Sequence, residues 1–203
     1  MILTSETAEN INDSLFLMIN APAHASSLLL TLGNICASWL IFIFPLTLLV
    51  YWFSFKPENQ RVAMQALTAG IVALCVNMVI GYFFPHPRPF MVPIGHTFLS
   101  HAADASFPSD HMTLACAITF SLLFSRKIQA GLSLLLLSLF IAWGRIYMGV
   151  HFPADMLGSI TVALFCCWGV KKAENRLDPL FSHLYRLNNF LFGHLRINRE
   201  KTE

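Results

Sequence analysis

Residues 108–127 read PSDHMTLACAITFSLLFSRK. The polar tetrad Pro108-Ser109-Asp110-His111 opens an apolar run, and Arg126-Lys127 closes it. As a helix the run of roughly 17 residues is ~25 Å long, short of the ~30 Å thickness of a bilayer's hydrocarbon core. Its polar start is therefore expected below the membrane surface, in a bowl lined by neighbouring spans. Four more apolar stretches flank it, at about 28–53, 62–84, 128–148 and 153–170. The chain is 56% hydrophobic and only 12% charged, roughly half the charged share of a soluble domain. The pattern predicts an all-α, polytopic membrane helix bundle of about five transmembrane helices, forming a single domain over 1–203. Residues 11–20 are too short to cross and read as an interfacial or re-entrant helix. Residues 1–20 hold no Lys or Arg, so no secretory signal is expected.

The charges set an orientation. Lys56, Arg61, Arg126, Lys127, Lys171, Lys172, Arg176, Arg186, Arg196, Arg199 and Lys201 fall in the turns 54–61 and 126–127 and in the tail, whereas the opposite side holds only Arg88 and Arg145. The positive-inside rule predicts a cytoplasmic tail, with the loop 85–108, the turn 149–152 and the N-terminus outside. Lys56-Pro57-Glu58-Asn59-Gln60-Arg61 reads as the first connecting turn. In the tail 173–203, Leu177, Leu180, Phe181, Leu184, Leu187, Phe190 and Leu191 recur every three or four residues among basic ones. That pattern fits an amphipathic helix on the inner leaflet and equally an ordinary charged anchor. Membrane lipids are the expected surroundings, and a net charge of +2 gives no reason to expect nucleic acid. Cys36, Cys75, Cys116, Cys166 and Cys167 all lie in apolar runs without metal-ligand spacing, and read as packing residues.

Three polar clusters fall at one face by this topology. In the third, Asp155 lies four residues after His151, in the first turn of a helix opened by Pro153. A carboxylate there can fix one imidazole nitrogen and free the other to attack, and Arg145 ends the preceding span. In the second, Ser109 or Asp110 can cap a helix whose amides suit an anion, and His111 is placed to give a proton to a leaving oxygen. In the first, the prolines of Phe84-Pro85-His86-Pro87-Arg88-Pro89-Phe90 stiffen the chain and point Arg88 along the surface. Singly, each cluster reads more readily as ordinary structure: a cap, an interfacial histidine, a snorkelling arginine. Their convergence favours a site, because ionisable groups at a membrane are costly.

These residues resemble the three-part signature of the type 2 phosphatidic acid phosphatase superfamily, which includes vanadium haloperoxidases: Lys-x6-Arg-Pro, Pro-Ser-Gly-His and Ser-Arg-x5-His-x3-Asp. Here the matching positions are Arg88-Pro89, Pro108-Ser109-Asp110-His111, and Gly144-Arg145 with His151 and Asp155. Gly81 stands in the place of the lysine, Asp110 of the glycine and Gly144 of the serine. The resemblance implies that His151 attacks phosphorus to form a phosphohistidine, oriented by Asp155, while His111 protonates the leaving group. Arg88, Arg145 and Ser109 would bind the phosphoryl group, and no metal or other cofactor is implied. His86 or His101 would be the substitute donor for the lysine, and Asp110 a further auxiliary group.

The segments 84–90, 101–111 and 149–155 resemble the bacitracin-resistance type of undecaprenyl-diphosphatase. That implies a bacterial plasma-membrane enzyme taking a polyprenyl diphosphate, hydrolysing undecaprenyl diphosphate on its outer face and recycling the cell-wall lipid carrier. The alternatives are a phosphatidylglycerophosphate or phosphatidic acid phosphatase, a lipid A phosphotransferase, a vanadate-dependent oxidase, or a small transporter.

Overall fold

The computed structural model describes residues 5–200, with side chains described over 6–192. The basic residues Arg196, Arg199 and Lys201 of the charge count lie outside the described side chains. Helix α1 (Ser5–Ile19) leads to a first membrane span in pieces: α2 (Ser27–Asn34), a π turn (Ile35–Trp39), a 3-10 turn (Leu40–Phe42) and α3 (Ile43–Trp52). Then follow α4 (Pro57–Phe83), α5 (Asp110–Phe124), α6 (Ile128–Tyr147), α7 (Pro153–Lys172) and α8 (Glu174–Glu200). Among the described residues, four helical stretches are long and apolar enough to cross a bilayer: Ser27–Trp52, Pro57–Phe83, Ile128–Tyr147 and Pro153–Lys172. Helix α5, with 15 residues, spans only about 22 Å. The chain is a multi-pass membrane protein.

Two boundaries differ from the sequence reading. Helix α4 begins at Pro57, not 62, because proline at the first helical position costs no hydrogen bond and Glu58 suits the dipole. The supposed turn at 56–61 is thus mostly its first helical turns. The first span is also not one uninterrupted helix. At Ile35–Trp39 it widens, and the Leu40 amide bonds back to the Ile35 carbonyl.

Short α5 sits innermost, packed on α4, α6 and α7. In lipid, such contacts rest on close packing rather than on water expelled, so small residues belong at the seams. Helix α4 buries Ala63, Ala66, Gly70, Ala73 and Asn77 along one face at alternating spacings of three and four. A methyl group on Gly70 would come within 3.1 Å of Leu114 on α5. The opposite surfaces carry exposed Leu28, Trp39, Leu46, Val79, Leu136 and Phe165 toward the lipid. Among the described residues the cysteines are unpaired, with Cys116 and Cys167 buried in this packing.

Both terminal helices pack onto the bundle. Helix α8 buries Phe181 and anchors on α4 through Arg61, which pairs with Glu174 at 3.2 Å and with Asp178. Its Leu180, Leu187, Phe190 and Leu191 remain exposed. Helix α1 lies at the other end. Its Asn12 side chain accepts from the Ala154 amide at 2.9 Å, and Phe16 packs 5.2 Å from Phe152. Just after it, Asn20 bonds the loop at His96 (2.7 and 2.8 Å) and the Tyr147 carbonyl (3.1 Å).

Candidate active site

The end of the bundle that α1 covers is also where α4 ends, α5 starts, and α6 turns into α7. That turn is tight because Gly149 takes φ +79°, and a Cβ there would fall 2.1 Å from the His96 carbonyl oxygen. The turn places His151 one residue ahead of the Phe152 cap of α7, and Asp155 in that helix's first turn. Asp155 Oδ2 accepts from the Phe152 amide at 2.8 Å and lies 3.1 Å from His151 Nδ1. Both residues are 1% exposed.

This contact assigns the proton to Nδ1 and the lone pair to Nε2. Two guanidinium groups flank Nε2: Arg88 Nη1 at 3.0 Å and Arg145 Nη2 at 3.2 Å. Burial, eased by Asp155 and reinforced by Arg145, pushes the His151 imidazole down to about 4. It is therefore a free base at neutral pH, with its unprotonated nitrogen between two cations.

Each arginine is braced. Arg88 donates from Nε to Asp104 (2.8 Å), from Nη1 to the Val150 carbonyl (3.0 Å) and from Nη2 to the Ala105 carbonyl (3.2 Å). It is 5% exposed. The surface-pointing Arg88 expected from the proline run is thus turned inward, because three acceptors and the imidazole await it there. Arg145, 2% exposed, donates Nη1 to the Ala37 carbonyl in the π turn at 3.4 Å, and its buried Nε has no partner among the described residues. The π turn approaches α6 closely at Gly144, where a Cβ would sit 2.7 Å from the Ala37 nitrogen and 2.8 Å from Cys36 Cβ. That crowding is the physical reason glycine stands at this position in place of the signature serine.

Ser109 occupies the cap position of α5, but its hydroxyl makes no cap bond. Its Oγ is buried and unpartnered among the described residues, a donor in reserve for an anion. Ser159 Oγ reaches both the Ser109 carbonyl (2.9 Å) and the Asp155 carbonyl (2.7 Å), tying α5 to α7. Half-buried His111 has no hydrogen-bond partner among the described residues, and the ionisable groups around it are Arg145, His151, His101 and Arg88. The His101 ring lies 6.2 Å from the His151 ring, and its Nδ1 is 3.1 Å from the Ala102 carbonyl oxygen. Burial holds His101 below its ordinary value, opposed by that backbone bond and aided by the two arginines.

Two candidates stand apart. His86 packs against the Phe152 ring at 5.5 Å, with a buried Nδ1 that has no partner among the described residues. Asp110 accepts from Asn77 at 2.9 Å. With Asn77, Asp104 and Gly81, Asp110 borders a cavity of about 170 Å³.

Sequence reasoning missed Asp104, Ala37, Ser159 and Ser106, whose hydroxyl donates to Asp155 Oδ2. Asp104 was findable as a carboxylate in the loop facing Arg88. The others carry no signal of their own.

A buried imidazole backed by a carboxylate and faced by two guanidinium groups suits attack on a phosphoryl group. Comparison with known proteins points the same way. YbjG of Escherichia coli (strain K12) is 38% identical over 159 residues, covering 78% of this chain and 80% of that protein. The undecaprenyl-diphosphatase BcrC of Bacillus subtilis (strain 168) is 33% identical over 185 residues, covering 91% and 95%. The crystal structure of Aquifex aeolicus LpxE superposes with a TM-score of 0.64 at 25% identity, covering 80% of this chain and 95% of that one. The family model of the PAP2 superfamily matches residues 62–178, and the chain belongs to that superfamily.

Proposed function

We propose that this protein hydrolyses undecaprenyl diphosphate to undecaprenyl phosphate and inorganic phosphate through a phosphohistidine on His151. One observation carries the mechanism: Nε2 of His151 faces Arg88 Nη1 and Arg145 Nη2 while Nδ1 is held by Asp155. The terminal phosphoryl group enters between the guanidinium groups, whose donors pass from Nε2 to its oxygens. Ser109 Oγ and the first amides of α5 add donors. Nε2 attacks phosphorus, the bridging P–O bond breaks, and the lipid monophosphate leaves with a proton from His111. The imidazole, now positive, is stabilised by Asp155. Water then attacks the phosphohistidine and gives its proton to His111, and inorganic phosphate departs. The likeness to the undecaprenyl-diphosphatase BcrC, at 33% identity over nearly the whole chain, supports this substrate.

The site lies at the end of the bundle opposite the basic turns, so by the positive-inside rule it faces outward from a bacterial plasma membrane, with the C-terminus in the cytoplasm. The released lipid phosphate is then the recycled carrier of cell-wall synthesis, and its regeneration confers bacitracin resistance. The test is phosphate release from undecaprenyl diphosphate by purified protein, with acid-labile label trapped on the chain from a terminally labelled substrate. His151→Ala is expected to lose both turnover and trapping. Turnover by His151→Ala would defeat the mechanism, and preference for phosphatidylglycerophosphate would defeat the substrate.

A further inference from the structure

Ser106 is fully buried in the loop before α5, beside the pair that the proposed mechanism uses, yet that mechanism gives it no task. Its amide donates to the His86 carbonyl at 2.8 Å, which fixes its backbone. The following Phe107 wedges against α7, where a Cβ on Gly158 would meet its ring at 2.2 Å. The direction of the hydroxyl is thereby set from both sides. It donates to Asp155 Oδ2 and lies 3.4 Å from His151 Nδ1.

A hydroxyl has one hydrogen. That hydrogen goes to the carboxylate, so the oxygen's lone pairs face Nδ1. Nδ1–H is then shared between Oδ2 at 3.1 Å and Ser106 Oγ at 3.4 Å. Asp155 Oδ2 in turn takes three donors: Ser106, the Phe152 amide and the imidazole.

We propose that Ser106 is a positioning residue for the nucleophile: by bonding Asp155 Oδ2 it aims the carboxylate at Nδ1 and sets how strongly the carboxylate draws the imidazole proton. The inference rests on the reading of His151 as the nucleophile. Donation to the carboxylate is the stronger of the two effects, since a contact at 3.4 Å is near the limit of hydrogen bonding. Without that donor, the carboxylate stabilises the imidazolium more, and His151 holds a second proton to higher pH. The other titratable and charged groups around His151 are Arg88 from the segment after α4, Arg145 from α6, His111 from α5 and His101 from the loop, with Asp104 paired to Arg88. The substitution leaves all of them in place.

The test uses the full-length protein in detergent, with kcat, KM and the pH dependence of kcat/KM on undecaprenyl diphosphate. Ser106→Ala is expected to lower kcat about 10- to 100-fold, the loss of one hydrogen bond to a charged group. KM should change little, and the acidic limb should move toward neutral pH. Ser106→Thr, which keeps the hydroxyl, should restore both. If Ser106→Ala does not purify folded, Ser106→Cys keeps the volume with a weak donor and is expected to show the same shift. An acidic limb that stays in place in the Ala or Cys variant, or a loss confined to KM, overturns the proposal. The control is His151→Ala: if it turns over, the nucleophile assignment itself fails, an outcome separate from failure of the Ser106 inference.

Discussion

Putting the signature serine back at position 144 should damage this protein. In Gly144→Ser the new Cβ falls 2.7 Å from the Ala37 nitrogen and 2.8 Å from Cys36 Cβ, where ordinary contact begins at 3.4 Å. Backbone cannot swing aside as a side-chain tip can, so the π turn and α6 must part by about 0.7 Å, and overpacking of this kind costs typically 1–3 kcal/mol. The same displacement acts on Arg145. Its 3.4 Å bond to the Ala37 carbonyl stretches to about 4 Å and is lost. The guanidinium that flanks His151 Nε2 then drifts, and an error of about 1 Å at a reacting centre can cost about 100-fold in rate. The assay is kcat/KM on undecaprenyl diphosphate beside thermal unfolding in detergent, with Gly144→Ala as the smaller step. Both variants should lose stability, and the serine variant should lose at least about tenfold in kcat/KM. Wild-type rate and melting temperature in Gly144→Ser would refute the argument that this close approach positions Arg145.

Because burial depresses His151 from 6.5 to about 4, the unfolded chain binds more protons between those values. Stability should therefore fall as pH drops from about 6.5 to about 4, by an order of 3 kcal/mol, and level off below. Melting temperatures across that range should show the fall, and His151→Asn should flatten it. Activity should be vanadate-sensitive and largely indifferent to chelators; loss on chelation, restored by a divalent ion, would break the assignment of all chemistry to side chains. A cysteine at Val92, in a background where the native cysteines are replaced, should react with an impermeant reagent from outside the cell. Labelling only after lysis would reverse the proposed orientation.

The sequence showed the spans because lipid-facing helices must be apolar nearly throughout, and it marked the candidate groups because His151, Arg145 and Arg88 stand out against that background. It did not show how the arginines are held. Arg145 leans on a main-chain carbonyl at Ala37, and Ile35-Cys36-Ala37-Ser38-Trp39 contains no helix breaker. That π turn faces Gly144, more than 100 residues further on. Ser106 escaped for a similar reason, since a serine in a loop is unremarkable until Asp155 is seen beside it. His86 and His101 looked equivalent as candidates, yet His101 has its ring near His151, whereas His86 meets the Phe152 ring edge-on. Spacing along a loop does not say which way it folds back.

The clasp of α1 bears on the order of synthesis. Asn12 reaches Ala154, 142 residues later, and Asn20 reaches Tyr147, 127 residues later. The α1 region thus meets the loop at His96 first and completes its contacts only once α6 and α7 have been made. Until α1 docks, the Ala154 amide in the first turn of α7 lacks its side-chain acceptor and Phe152 lacks the Phe16 ring. A chain that has not yet inserted α7 therefore has no finished pocket, and α1, made before the spans, closes onto one of the later ones. Contacts of such long separation form slowly, so the docking of α1 onto α7 is expected to follow the insertion of both.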